Sequence, residues 1–178
     1  MKPAAVLPAD PVTLRRWELG WLDELVAAVL ASTPELQPYV PWATGFGQMQ
    51  AKEYLERSVA DWDADDNWNY AIFSPGDEVI GSCGLMTRMG PGVLEIGYWV
   101  HSAYTGLGYA SAAAGALADL GLQLSGVERV VIKTDSANPA SRRVADKAGF
   151  AMVGVEHGEP EAPGESGETL IWERTSHG

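Results

Sequence analysis

The chain has 178 residues, about the length of one ordinary domain, and its hydrophobic fraction of 46% is typical of soluble globular proteins. Its 24 acidic residues against 12 basic ones give a formal charge of -12, which disfavours nucleic acid and anionic membranes as partners. No apolar run approaches the roughly 20 residues of a membrane span, and the start lacks the apolar core of a secretory signal. The single cysteine excludes an intramolecular disulfide. Together these features lead us to expect a cytoplasmic protein.

The first third of the chain predicts a strand followed by two helices. Residues 12–17 (VTLRRW) form a strand candidate, and residues 20–32 place apolar side chains at helical spacing. Three prolines then indicate a loop from Pro34 to about residue 43, with Tyr39 and Trp42 as aromatic anchors. A second helix is expected from Gln48 to Ala64.

The middle of the chain reads as an antiparallel meander. Residues 68–73, 79–89 and 93–100 are rich in strand-forming residues, and the turn sequences SPGDE and GPG separate them. The pattern then changes to an alanine-rich helix over 108–126, a buried strand over 129–134 and a short helix over 138–150. Two closing strands, 151–156 and 169–174, flank an acidic Gly/Pro loop. The order predicts a mixed α/β fold with a central, mostly antiparallel sheet flanked by helices, in one domain spanning residues 1–178.

The segment with the clearest chemical meaning joins a strand end at Val100 to a helix start. Gly106 and Gly108 allow the backbone to approach a ligand closely, and the first N–H groups of a helix point outward without intrahelical partners. Together with the helix dipole they form an anion site, so a pyrophosphate would lie against residues 106–111 without needing a lysine. The hydroxyl of Ser111 would add a donor.

Other interpretations of this glycine pair are a tight turn with ordinary capping or a different phosphate-binding motif. A dinucleotide-binding Rossmann motif does not fit, because Ser111 stands at the position of its third glycine. The later acidic residue, Glu128, begins a strand rather than ending one, and no parallel βαβ unit leads into the motif. A P-loop fails because no Gly-Lys-Ser/Thr is present.

A second segment, NPASRRVADKAGF, begins at Asn138 about 30 residues after the glycines. Asn138 has the chemistry of a helix cap, and Ser141 lies one turn further on. At this spacing and with this strand order, the chain resembles the GNAT acyltransferases of the RimJ/RimL-like branch. The resemblance rests on Thr105–Ala110 (TGLGYA) as the acetyl-CoA signature, on EIGYW ending at Trp99, and on the Asn-x-x-Ser and Lys-x-Gly-Phe residues Asn138, Ser141, Lys147, Gly149 and Phe150.

The resemblance implies a sheet that splays at an acetyl-CoA site, with acetyl-CoA as co-substrate and no metal. The implied cofactor-binding residues are Trp99, Val100, His101, Thr105, Gly106, Leu107, Gly108, Tyr109, Ala110, Ser111, Asn138, Ser141 and Lys147. Two positions depart from the family pattern. The signature opens with Thr105 in place of Arg or Gln, which weakens one pyrophosphate contact, and Ala145 stands where many members have a tyrosine acid.

Acetyl transfer to an amine needs a proton acceptor, a donor for the thioester carbonyl and a donor for the departing thiolate. We assign these roles to Glu95, to the backbone N–H near Val100 and to Ser141, with Asn138 bonding the pantetheine arm. His101 is more typical of an exposed loop position, and Cys83 of a small core residue. The three histidines and single cysteine are scattered and suggest no metal site.

The expected acceptor is a primary amine, either a protein N-terminus or a small molecule, in a groove between residues 34–45 and 156–168. The second stretch carries glutamates that would attract a cationic amine or a basic peptide end: Glu156, Glu159, Glu161, Glu165 and Glu168. A solvated, disordered loop is the other interpretation of that stretch. The competing function is a non-catalytic acyl-CoA-binding or regulatory module, which Thr105 and Ala145 motivate. A homodimer is common in the family.

Overall fold

The computed structural model describes residues 2–176, which form one eight-stranded sheet with helices on both faces. The strands are β1 (Val6–Ala9), β2 (Val12–Arg16), β3 (Asn67–Phe73), β4 (Val79–Met86), β5 (Val93–Val100), β6 (Arg129–Asp135), β7 (Ala151–His157) and β8 (Glu168–Thr175). The helices are α1 (Leu22–Leu36), α2 (Gln48–Asp63), α3 (Tyr109–Gln123) and α4 (Pro139–Lys147). The mixed, mostly antiparallel fold is therefore confirmed.

The strands follow the order β1-β2-β3-β4-β5-β6-β8-β7, and every neighbouring pair is antiparallel except β5 and β6. That parallel pair is short: its register joins Val93, Leu94 and Glu95 to residues 129–131 of β6. Strand β5 stays paired with β4 as far as Val100, while β6 turns to pair along its whole length with β8. The sheet therefore opens into a gap beside residues 96–100, which confirms the expected splay.

Two apolar layers hold this sheet between the helices. The larger layer contains Ala113, Ala114, Leu117 and Ala118 of α3, packed on buried residues of the central strands. The alanine-rich sequence of α3 lets the helix lie close to the sheet, and at Gly121 an added Cβ would lie only 3.0 Å from Val130. The smaller layer packs Leu25 and Val29 of α1 and Leu55 of α2 on the other face. No helix within residues 2–176 is long and apolar enough to cross a bilayer.

Two local predictions were wrong. The sequence pattern missed β1, an edge strand that contains Pro8, since a proline is tolerated in a strand only where its missing N–H is not needed. The first helix also continues through Pro34 to Leu36 rather than ending at Ser32. Near this last turn the hydroxyls of Ser32 and Thr33 donate to the carbonyls of Ala28 and Val29 at 2.8 and 3.0 Å.

Candidate active site

The glycine turn that leads into α3 has the backbone conformation that its sequence predicts. Gly106 and Gly108 adopt φ of +77° and +80°, and no heavy atom lies within 4 Å of a Cβ built at either position. Glycine is needed there for the positive φ rather than for space, because L side chains are strained in that region. α3 begins directly afterwards at Tyr109, so the N–H groups of its first turn point out of the helix beside the turn.

Hydrogen bonds inside the preceding loop hold this turn in place. The backbone N–H of Ser102 donates to Ser32 Oγ of α1 at 3.0 Å, and the Thr105 hydroxyl donates to the Ser102 carbonyl at 2.9 Å. His101 accepts the N–H of Ala103 on Nδ1 at 3.0 Å. The His101 ring and the Thr105 hydroxyl are thus engaged in bonds within the loop.

One backbone donor of β5 faces the gap in the sheet. The N–H of His101 donates to the Ile80 carbonyl at 2.7 Å, toward β4. Because successive N–H groups of a strand point to opposite sides, the N–H of Val100 points away from β4 and toward the side where β6 has diverged. The splay therefore leaves this donor without a partner strand at that position.

Two hydroxyls meet across the gap. The Tyr98 hydroxyl of β5 lies 2.9 Å from Ser141 Oγ of α4 and 3.0 Å from the Ser141 carbonyl oxygen, to which it can donate. Burial raises the pKa of Tyr98 to about 12, against a smaller opposing effect of the bond to Ser141, so the phenol is protonated at neutral pH. Asn138 Oδ1 accepts the N–H of Ser141 at 3.2 Å and caps α4.

The proposed base, Glu95, is a buried carboxylate with a partner. Its side chain is 7% exposed, and the guanidinium of Arg88 donates to both of its oxygens, at 2.8 and 2.5 Å. A carboxylate has about four lone-pair positions, so each oxygen keeps room for a second donor. Both Glu95 and Arg88 line the cleft described below.

A cleft of about 1280 Å³ passes between the sheet, α1, α2 and the β7–β8 loop. Among the catalytic and cofactor candidates, it brings together Glu95, Trp99, Asn138 and Ser141. Of the loop glutamates expected near the acceptor, its lining includes Glu156, Glu159, Glu161 and Glu165 but not Glu168. The remaining cofactor candidates lie along the strand end and helix start beyond its lining: Val100, His101, Thr105, Gly106, Leu107, Gly108, Tyr109, Ala110 and Ser111. Lys147 lies apart from them, exposed in the last turn of α4.

Sequence reasoning missed a polar cluster at the base of the cleft. Ser82 Oγ accepts the indole N–H of Trp17 at 3.0 Å and lies 2.8 Å from the Tyr54 hydroxyl. Burial raises the pKa of Tyr54, and hydrogen bonds to Ser82 and Ser58 oppose that shift only in part. Burial also raises the pKa of Cys83 next to it. Both groups are thus neutral at physiological pH and form the floor of the cleft.

The acidic loop between β7 and β8 is ordered by hydrogen bonds rather than solvated throughout. The carboxylate of Asp135, at the end of β6, accepts the N–H and hydroxyl of Ser166 and the N–H groups of Gly167 and Ala137, at 2.8 to 3.2 Å. Desolvation alone would raise the pKa of Asp135, but these bonds outweigh it and lower the pKa. Glu165 accepts the N–H groups of Glu161 and Ala162 in the same loop.

Two loops meet beside the cleft. The N–H of Gly164, in the β7–β8 loop, donates to the Pro38 carbonyl, in the α1–α2 loop, at 2.7 Å. The Tyr39 hydroxyl next to it donates to the Ala137 carbonyl at 3.0 Å. Trp42 of the same loop lies 6.0 Å from Trp99 and 5.6 Å from Phe46 between ring centres. The two loops between which the sequence predicts the acceptor groove are thus joined by a direct hydrogen bond beside the cleft.

A gap between two parallel strands, beside a glycine turn and a helix N-terminus, defines a mixed α/β protein with a transferase-like site. The family model of the acetyltransferase (GNAT) domain matches residues 12–151. The chain therefore belongs to the GNAT family of N-acetyltransferases, and the family recognised from its motifs is confirmed.

Known proteins agree with this assignment. The curated uncharacterized N-acetyltransferase p20 of Bacillus licheniformis is 29% identical over 152 residues, which are 84% of each chain. The same fold occurs in RimJ of Mycobacterium smegmatis, with a TM-score of 0.86, 23% identity and 99% and 91% of the two chains covered. It also occurs in the RimL L7/L12 acetyltransferase, with a TM-score of 0.86, 21% identity and 96% and 97% of the two chains covered. The microcin C7 immunity acetyltransferase MccE shares it with a TM-score of 0.85, 20% identity and 93% of each chain covered.

Proposed function

We propose that the protein transfers the acetyl group of acetyl-CoA directly to a primary amine. The observation that carries the proposal is the gap beside β5, where the N–H of Val100 and the hydroxyls of Tyr98 and Ser141 face one space next to the glycine turn. Acetyl-CoA supplies an activated thioester. RimL and MccE are described in complex with coenzyme A and with acetyl-CoA and AMP, respectively, and the same ligand class suits the site here.

The residues present fit that co-substrate. No heavy atom lies within 4 Å of a Cβ built at Gly106 or Gly108, and a pyrophosphate would lie against the first N–H groups of α3 without needing a basic side chain. Asn138 lies at the start of α4 in the lining of the cleft; its Oδ1 caps the helix, and its Nδ2 would bond the pantetheine arm. The Val100 N–H would hold the acetyl carbonyl.

The side chains around the gap supply the proton transfers. The amine nitrogen forms a bond to the acetyl carbon as the carbon–sulfur bond breaks, so one proton must leave the amine and one must reach the sulfur. Glu95 would accept the first proton, directly or through a water. Ser141 would pass the second proton to the sulfur and regain one from the Tyr98 hydroxyl, which would in turn recover its own proton from solvent.

Thiol release from acetyl-CoA tests this proposal, measured with a panel of small amines and short peptides on the wild type and on Glu95→Gln. We expect acceptor-dependent release and a kcat at least about 100-fold lower in the variant, the usual contribution of a general base. Glu173→Gln is the matched control, because Glu173 is also paired with an arginine, Arg129, but belongs to β8 outside the cleft.

Each result has a separate meaning. Release that is unchanged in Glu95→Gln would keep the acetyltransferase and remove Glu95 as its base. Tight binding of acetyl-CoA without release for any acceptor would favour the competing function, a non-catalytic acyl-CoA-binding module.

A further inference from the structure

The two loops beside the cleft do not form an open channel. At Gly164 an added Cβ would lie 2.6 Å from the Pro38 carbonyl oxygen and 2.7 Å from Pro38 Cβ, so the loops touch as closely as a glycine permits. The second link, from Tyr39 to Ala137, joins the α1–α2 loop to the start of α4. An extended peptide that leads into a folded protein needs a groove open at its outer end, and these links cross the groove between the loops.

The β7–β8 loop is also held by hydrogen bonds of its own. Asp135 holds Ser166 and Gly167, and the N–H of Gly158 donates to the Gly167 carbonyl at 2.8 Å. At Gly167 the φ is +80°, and an added Cβ would lie 2.3 Å from the Gly158 carbonyl oxygen. Separating the loops for a peptide would break several of these bonds together.

The wall next to the gap is aromatic. Trp42 packs against both Phe46 and Trp99, yet keeps 42% of its surface exposed. Trp99 directly precedes Val100, whose N–H faces the gap. A flat apolar group lying against Trp42 and Trp99 would therefore be held close to the position where the acetyl group is transferred, since aromatic groups pack edge-to-face or offset on one another.

The charge of the cleft selects the kind of amine. Its lining holds three basic residues, Arg57, Arg88 and Lys133, against a larger set of carboxylates: Glu53, Glu95, Asp135, Glu156, Glu159, Glu161 and Glu165. Two of the basic groups are neutralised, Arg88 by Glu95 and Lys133 by Glu156 at 3.2 Å. Within residues 2–176 no bonded partner is found for the carboxylates of Glu159 and Glu161. Such a lining attracts a cation and repels a phosphorylated acceptor.

We propose that the acceptor is a small, phosphate-free primary amine with an aromatic body, which packs against Trp42 and Trp99, rather than the N-terminus of a folded protein. This inference rests on the proposed acetyl transfer and names the acceptor class for it. The acidic side chains of the β7–β8 loop draw the cationic amine into the cleft, and the joined loops exclude a longer chain.

Tryptamine and phenethylamine are suitable aromatic probes, with hexylamine as the aliphatic amine of similar reach and a ten-residue peptide as the protein-like acceptor. We expect kcat/KM to be highest for the aromatic amines and undetectable for the peptide. Trp42→Ala should raise the KM for tryptamine about tenfold, with an unchanged KM for acetyl-CoA and for hexylamine. Met49→Ala, which removes another exposed apolar side chain outside the cleft, should change none of these values.

A second variant tests the joined loops. Gly164→Ala should push the loops apart and allow the ten-residue peptide to be acetylated, while Gly20→Ala, where an added Cβ meets no atom within 4 Å, should not. Calorimetric binding of tryptamine to the wild type and to Trp42→Ala decides the question of the aromatic wall without any turnover.

The outcomes separate this inference from the function on which it rests. Acetylation of the peptide by the wild type, with no preference for aromatic over aliphatic amines, would overturn the inference and leave the acetyltransferase intact. Tryptamine binding that is absent, or unaffected by Trp42→Ala, would overturn it as well. Binding that depends on Trp42 but is never followed by thiol release would support the acceptor site and count against the proposed acetyl transfer.

Discussion

The two sides of the cleft are built from different parts of the chain. The side that we propose for the cofactor, from Val100 to the first turn of α3, presents backbone N–H groups shaped by two glycines at positive φ. The side that we propose for the acceptor presents side chains, namely the rings around Trp42 and the carboxylates of the β7–β8 loop. Backbone recognition suits a co-substrate shared by a whole family, whereas side chains are free to differ between members that use different acceptors.

The largest effect is expected where the two sides meet, at Ser141. Ser141→Ala removes the hydroxyl that we assign to the departing sulfur, so kcat should fall about 100-fold while both KM values change little. Tyr98→Phe keeps Ser141 but removes the phenol 2.9 Å from its Oγ, and an intermediate loss is expected. Steady-state kinetics measure both. Equal kcat values for the wild type and Ser141→Ala would assign the proton to another donor.

A smaller effect should be confined to the cofactor side. Gly108→Ala forces an L side chain into φ of +80°, at about 1–2 kcal/mol of strain, which displaces the first N–H groups of α3. We expect the KM for acetyl-CoA to rise about tenfold with no change in acceptor preference. Gly115→Ala, within α3 and with open space around an added Cβ, is the control. A change in acceptor preference would contradict the separation of the two sides.

The smallest effect concerns the stability of the acceptor side. Asp135→Ala removes the acceptor that holds the β7–β8 loop, so Tm at pH 7 should fall by roughly 2–4 °C, as for a loss of about 1 kcal/mol. Because the pKa of Asp135 is lowered in the folded state, its stabilisation is present above the ordinary value of 3.8 and is lost as the pH falls through the lowered value. The difference in Tm between the wild type and Asp135→Ala should therefore become smaller as the pH falls below 3.8.

Thermal unfolding of wild type, Asp135→Ala and Asp146→Ala between pH 7 and 3 measures this dependence. Asp146 is an exposed aspartate of α4 and should show no such effect. A difference between wild type and Asp135→Ala that stays constant down to pH 3 would mean that the carboxylate charge does not hold the loop.

What could be predicted from the sequence depends on whether a feature is local or rests on contacts between distant segments. The glycine turn, the start of α3 and the cap at Asn138 depend on residues within a few positions of one another, so local patterns predicted them. The contact of Gly164 with Pro38 and the hydrogen bond of Tyr39 to Ala137 depend on how distant segments pack. The missed strand β1 shows the same limit, because Pro8 argues against a strand until the edge position is known.

The short parallel pairing between β5 and β6 has a consequence for how the protein moves. Strands β1–β5 and β6–β8 form two antiparallel blocks, and between the blocks the sheet is continuous over only three registered pairs. The N–H of Arg129 donates to the Gly92 carbonyl just before β5, so the N–H of Val131, two residues further on, also faces β5. We expect the amide hydrogen of Val131 to exchange with solvent faster than those in the centre of either block. A ligand that occupies the gap would tie the blocks together and slow that exchange, so deuterium uptake at this seam would report occupancy before any product forms.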